Sequence, residues 1–198
     1  MANHLKNRTH ARNLILLAVF TALVVVLSFV KIPLGPFSVT LTLPVIVIGG
    51  ALCGVWAGAW LGAAFSIMVF VTGDAAPFLA VNIPATILVV MIKGTAAGLA
   101  AAFVYRLLHK NNKTTLATIT AAVTAPIVNT GIFSIGCLLF FMNTITSWGL
   151  GDGFTSGIAY LFGGMIGLNF IVELAVNLVL SPVIIRLIDI IVKKKFSH

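Results

Sequence analysis

Long apolar runs, broken by short clusters of charge, glycine or proline, organise the chain. The first extends from about Asn13 to Val30 and stops at Lys31. The next stretch, Ile32 to Thr42 (IPLGPFSVTLT), carries two prolines and a glycine and is too broken for a helix, so it reads as an ordered loop or a short strand pair. A second run covers about Leu43 to Leu52 and a third Val55 to Val71, with only Cys53 and Gly54 between them, a tight uncharged turn. Thr72, Gly73 and Asp74 close that hairpin. The fourth run starts with Pro77 in its first turn and continues to about Leu107. The fifth covers Leu116 to Phe141, a polar loop follows through Asp152, and the sixth runs from Ile158 to Ile191. Runs of this kind predict helices that cross a bilayer, which needs about 20 apolar residues per span.

Composition agrees with a lipid solvent. Of 198 residues 60% are hydrophobic and 8% charged, with a mean hydropathy of +1.16, whereas roughly a quarter of an ordinary soluble domain is charged. The expected fold is an all-α integral membrane protein of six transmembrane helices, one domain over residues 1–198, with an ordered loop after the first helix. The polar, basic start and a full-length first run without a small-residue cleavage site read as a retained first helix, not a signal peptide.

Charge sets the expected orientation. With both ends inside, ten of the twelve cations fall on the inner face: Lys6, Arg8, Arg12, Arg106, Lys110, Lys113, Arg186, Lys193, Lys194 and Lys195. The outer loops receive Lys31, Asp74 and Asp152. The positive-inside rule therefore selects cytoplasmic N- and C-termini. The net charge of +8 reads as this topology signal and not as a nucleic-acid surface, which needs a basic face on a soluble fold.

The catalytic vocabulary is thin. All four histidines, His4, His10, His109 and His198, fall in the termini or the turn after the fourth run, out of reach of an intramembrane serine. Metal ligation would need several converging donors, and only Glu173 lies deep in the membrane. Cys53 and Cys137 sit in apolar stretches without ligand spacing and read as inert thiols. No G-x-x-x-x-G-K-[ST] phosphate cradle is present, so any use of ATP falls to another polypeptide. The chain reads as a binder or carrier without cofactor, not as an enzyme.

Ionisable groups at membrane depth are costly and mark cavities or partners. Lys93 and Glu173 each precede an inner cation, Arg106 and Arg186, by thirteen residues, about 20 Å along a helix, so they share a depth. Asn82, Thr86 and Lys93 fall on one face of the fourth helix, and Asn169, Glu173 and Asn177 recur every four residues on the sixth. Asn129, Thr130 and Ser134 follow Pro126 on the fifth. Pro84, taken as interior to the fourth helix, and Pro126 each free a backbone carbonyl near these stripes. One alternative is a Lys93–Glu173 pair that fixes helix register, with the asparagines as interhelical glue. The number of amides beyond that pair's needs argues for a cavity around a small polar solute, its carboxylate at Lys93 and its hydroxyl or N–H groups at Glu173. Trp56, Trp60, Trp148 and Tyr105 lie off the stripes, which favours a flexible aliphatic solute over a stacked ring, with Phe37 or Phe78 available as a cap.

Small residues recur at four-residue spacing in Gly54, Gly58 and Gly62, in Gly94 and Gly98, and in Gly163 and Gly167, a pattern of close helix packing. Ala18-Val19-Phe20-Thr21-Ala22 places a similar pair on the first helix. With the six-helix pattern, the basic ends and the Pro/Gly loop, this resembles the substrate-binding S components of energy-coupling factor (ECF) vitamin transporters over nearly the whole chain. The resemblance implies that Ala18 and Ala22 dock on a membrane T component, itself bound to two cytosolic ATPases, in the bacterial cell membrane. It implies that the loop Ile32 to Thr42, with Pro36 and Phe37, lies over a vitamin site whose candidate wall is Asn82, Lys93, Asn129, Asn169 and Glu173; Thr86 and Asn177, on the same two polar faces, complete the expected substrate-binding set. It also implies that the loaded subunit topples to open its site inward. The segments TGDAAPFLAVN and PIVNTGIF look most like the pantothenate-type branch. Pyridoxine or hydroxymethylpyrimidine remain alternative substrates, and a stand-alone proton-coupled carrier with Glu173 as proton site is an alternative function.

Overall fold

The computed structural model describes residues 2–34, 37–110 and 114–196. The described residues are helical apart from one antiparallel hairpin and short connections. Helix α1 (Ala2–Ser28) leads into strands β1 (Lys31–Leu34) and β2 (Phe37–Thr40), paired in the register Lys31↔Thr40 to Leu34↔Phe37. The proline-containing stretch is thus a strand pair, one of its two expected forms. Helices α2 (Thr42–Cys53) and α3 (Val55–Val71) follow as expected. Gly54 joins them at φ +105°, a conformation that side chains with a Cβ rarely adopt.

Helix α2 is apolar on all sides, and Thr42 to Gly50 are buried without interruption. A helix of this kind belongs at the centre of a bundle, and α2 packs against α1, α3 and α6. Four segments are long and apolar enough to cross a membrane: Ala11–Ser28, Ile83–His109, Thr114–Gly151 and Gly157–Leu180. Thr42–Cys53 and Val55–Val71 are shorter apolar helices.

The fourth run divides where a single helix was expected. A short α4 (Ala76–Leu79) contains Pro77, and α5 (Ile83–His109) begins anew. Asn82 caps α5 by accepting a hydrogen bond from the Ala85 backbone N–H at 3.1 Å. Pro84 therefore occupies the first turn of α5, where a missing N–H costs nothing, and is not a break inside a helix. Helix α6 (Thr114–Gly136) carries Pro126 in its interior. It continues through a π-helical turn (Cys137–Phe141) into α7 (Met142–Gly151), so the expected polar loop, with Trp148, is largely helical. After α8 (Gly157–Ala159), a second π-helical segment (Tyr160–Gly167) runs into α9 (Leu168–Phe196).

Glycines set the closest helix approach. A Cβ on Gly62 would strike the Gly94 carbonyl oxygen, one on Gly98 the Gly58 carbonyl, and one on Gly58 would come within 2.5 Å of the Gly98 carbonyl. Helices α3 and α5 therefore meet backbone to backbone, and Ser66 Oγ donates across the seam to the Val90 carbonyl at 2.7 Å. Gly163 and Gly167 do not form a second seam. They lie in the π-helical segment, where Gly163 is exposed and a Cβ on Gly167 would meet the chain's own Phe162 carbonyl. Gly62→Ala is expected to lower unfolding stability by about 2 kcal/mol through overpacking, whereas Gly131→Ala, with open space at its Cβ, should cost nothing. Thermal unfolding of both variants in detergent checks the contrast.

Candidate functional site

Six elements converge on a cavity of about 90 Å³. Helix α5 contributes Lys93, α6 contributes Asn129, Thr130 and Phe133, and α9 contributes Asn169, Phe170 and Glu173. The α3–α4 turn adds Asp74, α4 adds Phe78 and α3 adds Phe65. Four of the seven residues expected at a substrate site, Lys93, Asn129, Asn169 and Glu173, therefore share one wall.

The other three do not line it. Asn82 is exposed and serves as the cap of α5. Thr86 is buried, with its hydroxyl donating to the Asn82 carbonyl at 2.7 Å, a bond internal to the helix start. Asn177 lies one turn below Glu173 and donates from Nδ2 to the Glu173 carbonyl at 2.8 Å. These misplacements share a cause: a helical wheel gives a face but not what that face meets. Pro36 lies outside the described residues; Phe37 opens β2, and its side chain is likewise outside them.

Within the cavity, polar groups are presented without being satisfied. The Oδ1 atoms of Asn129 and Asn169 are buried and have no hydrogen-bond partner. Buried polar groups are normally paired, and one left open costs about 1–3 kcal/mol. Lys93 and Glu173 face the same space but form no ion pair, so the direct pair allowed as an alternative is not made. Lys93 instead places Nζ 4.8 Å from the centroid of the Phe133 ring, a cation–π contact that orients the ammonium while leaving its donors available.

More rings line the cavity than the one cap expected. Phe65, Phe133 and Phe170 join Phe78, which was expected as a cap, so the wall is more aromatic than the expectation of a flexible aliphatic solute implies. Phe78 is a hub, meeting Phe133, Phe141 and Trp148 edge to face at 5.5, 5.1 and 5.6 Å. One signal for Phe133 was present, since it falls four residues after Asn129 and so on the same helical face. The second π-helical segment supplies Met165 and Ile166 to the wall, in keeping with the frequent placement of π-turns at functional sites.

A latch sits at one edge. Lys31, the first residue of β1, pairs with Asp74 Oδ1 at 2.7 Å and donates to the Thr72 carbonyl at 3.0 Å, while Thr72 Oγ1 donates to Asp74 Oδ2 at 2.8 Å. Strand β2 lies against α9. The hairpin thus runs between two elements that wall the cavity. Reversing one charge, as in Asp74→Lys, is expected to speed ligand release roughly fivefold, the size of a partly exposed ion pair worth about 1 kcal/mol. The double exchange Lys31→Asp with Asp74→Lys should restore the slower rate, measured by dissociation of bound ligand after dilution.

Ala18 and Ala22 are on the opposite kind of surface. Both are exposed and line an apolar groove with Leu14, Val25 and Trp60. Trp60 Nε1 donates to Thr21 Oγ1 at 3.2 Å, holding the indole across this face.

Residues 12–185 match the family described as "ECF transporter, substrate-specific component". The chain belongs to that family. Its members are substrate-binding transporter subunits embedded in the membrane, not enzymes, and they work with ECF T and ATPase components. No curated protein and no solved structure matches the chain. For an S component, a partly open cavity with unpaired hydrogen-bonding groups is the candidate for the substrate site.

Proposed function

We propose that this S component binds pantothenate in the cavity between α3, α5, α6 and α9 and delivers it across a bacterial cell membrane. The observation that carries the reading is the pair of unpartnered acceptors, Asn129 Oδ1 and Asn169 Oδ1, in one cavity with Lys93 and Glu173. A ligand that fits must offer hydroxyl or N–H donors to the asparagines and to Glu173, an anionic end to Lys93, and an apolar body to the phenylalanines. Pantothenate has hydroxyls, an amide N–H, a carboxylate and a branched aliphatic segment. The four phenylalanines favour a second reading, a small planar vitamin such as pyridoxine or a hydroxymethylpyrimidine held between rings.

In this proposal the six apolar helices span the bilayer with both termini cytoplasmic, supported by the distribution of cations. The T component, carrying two cytosolic ATPases, docks on the exposed Ala18 and Ala22 face, whose small side chains permit close helix approach. Calorimetric titration of the purified chain with pantothenate, pyridoxine and hydroxymethylpyrimidine tests the substrate. Saturable heat with pantothenate alone is expected; saturation by a planar vitamin alone selects the second reading. Uptake that persists without ATPase partners and collapses with the proton gradient would instead identify a stand-alone carrier.

A further inference from the structure

The charges around the cavity balance before any ligand enters. Its wall holds Asp74, Lys93 and Glu173, and Lys31 is bound to Asp74. Two cations and two anions sum to zero. Asp74 already has its cation, so Lys93 and Glu173 are the groups left to balance each other across the cavity.

Among the described residues, the elements packed against Glu173's helix bring no other charge. The elements packed against α9 are α2, α6, β2 and the π-helical segment 160–167, and none contains an acidic or basic residue. Their ionisable side chains are Cys53 and Tyr160, and Cys137 lies beyond α6 on the Lys93 side; thiols and phenols are neutral near pH 7. On α9 itself, Asn169 and Asn177 flank Glu173. An anion that enters and engages Lys93 therefore leaves the carboxylate of Glu173 without a counter-charge, in a site where Glu173 is only 8% exposed. Two anions facing one ammonium in such surroundings are strongly disfavoured.

We propose that Glu173 is a proton-binding site coupled to the ligand: when an anionic ligand binds, the Glu173 carboxylate takes a proton from solvent and becomes a neutral hydrogen-bond donor. An O–H bond forms on Glu173, the buffer acid's bond to that proton breaks and leaves its conjugate base in solution, and nothing is oxidised or reduced. The filled cavity is then neutral again, with Lys93 answering the ligand's carboxylate. The new O–H has acceptors within the same wall, since Asn129 and Asn169 present open carbonyl oxygens. The inference rests on the anionic-ligand reading above, and a neutral ligand should bind without proton uptake.

The experiment is calorimetric titration of the wild-type chain at pH 8 with pantothenate and with pantothenol, its neutral alcohol counterpart, in buffers of different ionisation enthalpy. Pantothenate should take up about one proton per site, with its Kd rising up to roughly tenfold per pH unit. Pantothenol should take up none. In Glu173→Gln, which mimics the neutral acid, pantothenate should bind with a pH-independent Kd and no proton uptake. Pantothenate binding to the wild type without proton uptake, or binding that requires sodium instead, overturns the coupling while leaving the substrate reading intact. Absence of any pantothenate binding overturns both.

Discussion

Lys93→Met is expected to weaken pantothenate binding about 100-fold, as measured by calorimetry on the purified protein. The ammonium lies over the Phe133 ring in the cavity lining, so it is placed to form a charge-assisted hydrogen bond with an anionic ligand. A hydrogen bond to a charged group contributes up to about 3 kcal/mol, which corresponds to roughly a hundredfold in affinity. Methionine is one atom shorter but keeps an unbranched apolar stem and can pack beside the same ring. The fold should therefore survive, with a thermal midpoint close to that of the wild type. Pantothenol, which lacks the carboxylate, should bind to Lys93→Met within about threefold of its wild-type affinity, as the ionic contribution is absent from both complexes. Equal losses for the two ligands would assign Lys93 a structural part and remove it from ligand recognition.

Ala22→Trp should abolish transport by the assembled complex while leaving ligand binding unchanged. Ala18 and Ala22 are exposed along one face of α1, and the groove they line shares no residue with the ligand cavity. In lipid, helices associate where small side chains let backbones approach closely. An indole at this point covers about 200 Å² and holds a partner helix away from the surface. Because the side chain points out of the bundle, no internal packing has to move. Copurification with the T component and the ATPases reads assembly, and calorimetry on the isolated chain reads binding. Normal assembly of Ala22→Trp would remove this face from the docking surface, and loss of ligand binding would place it in the structural core.

The apolar segments were legible because each run is bounded by charge, glycine or proline, and the cost of polar groups in lipid keeps those boundaries sharp. The same cost made Lys93, Asn129, Asn169 and Glu173 visible as candidates, and the structure brings these four to one cavity. Other features left no comparable trace. Pro77 and Pro84 are both compatible with a helix start, so the break between α4 and α5 depends on Asn82 acting as a cap, a role that a polar stripe on a wheel disguises. Thr86 and Asn177 satisfy backbone carbonyls of their own helices, and spacing alone does not separate such bonds from cavity contacts. The π-helical segments shift the register of the faces that follow without altering composition. Beyond Phe78, which the sequence offers as a cap, the phenylalanines of the wall are hard to read for a simpler reason: in a chain this apolar, a ring that faces a cavity and one that faces lipid have the same sequence signature. Lys31 and Asp74 are 43 residues apart, and their pairing depends on how the hairpin folds back over the bundle.

In the proposed reading, the cavity between Lys93, Asn129, Asn169 and Glu173 is the substrate site of this S component. The most direct test of that reading is mass spectrometry of small molecules released from the protein after gentle purification from cells supplied with B-group vitamins. Pantothenate is expected at near-equimolar yield from the wild type, with a large loss from Lys93→Met. Recovery of no vitamin, or of equal amounts from the two proteins, would contradict it.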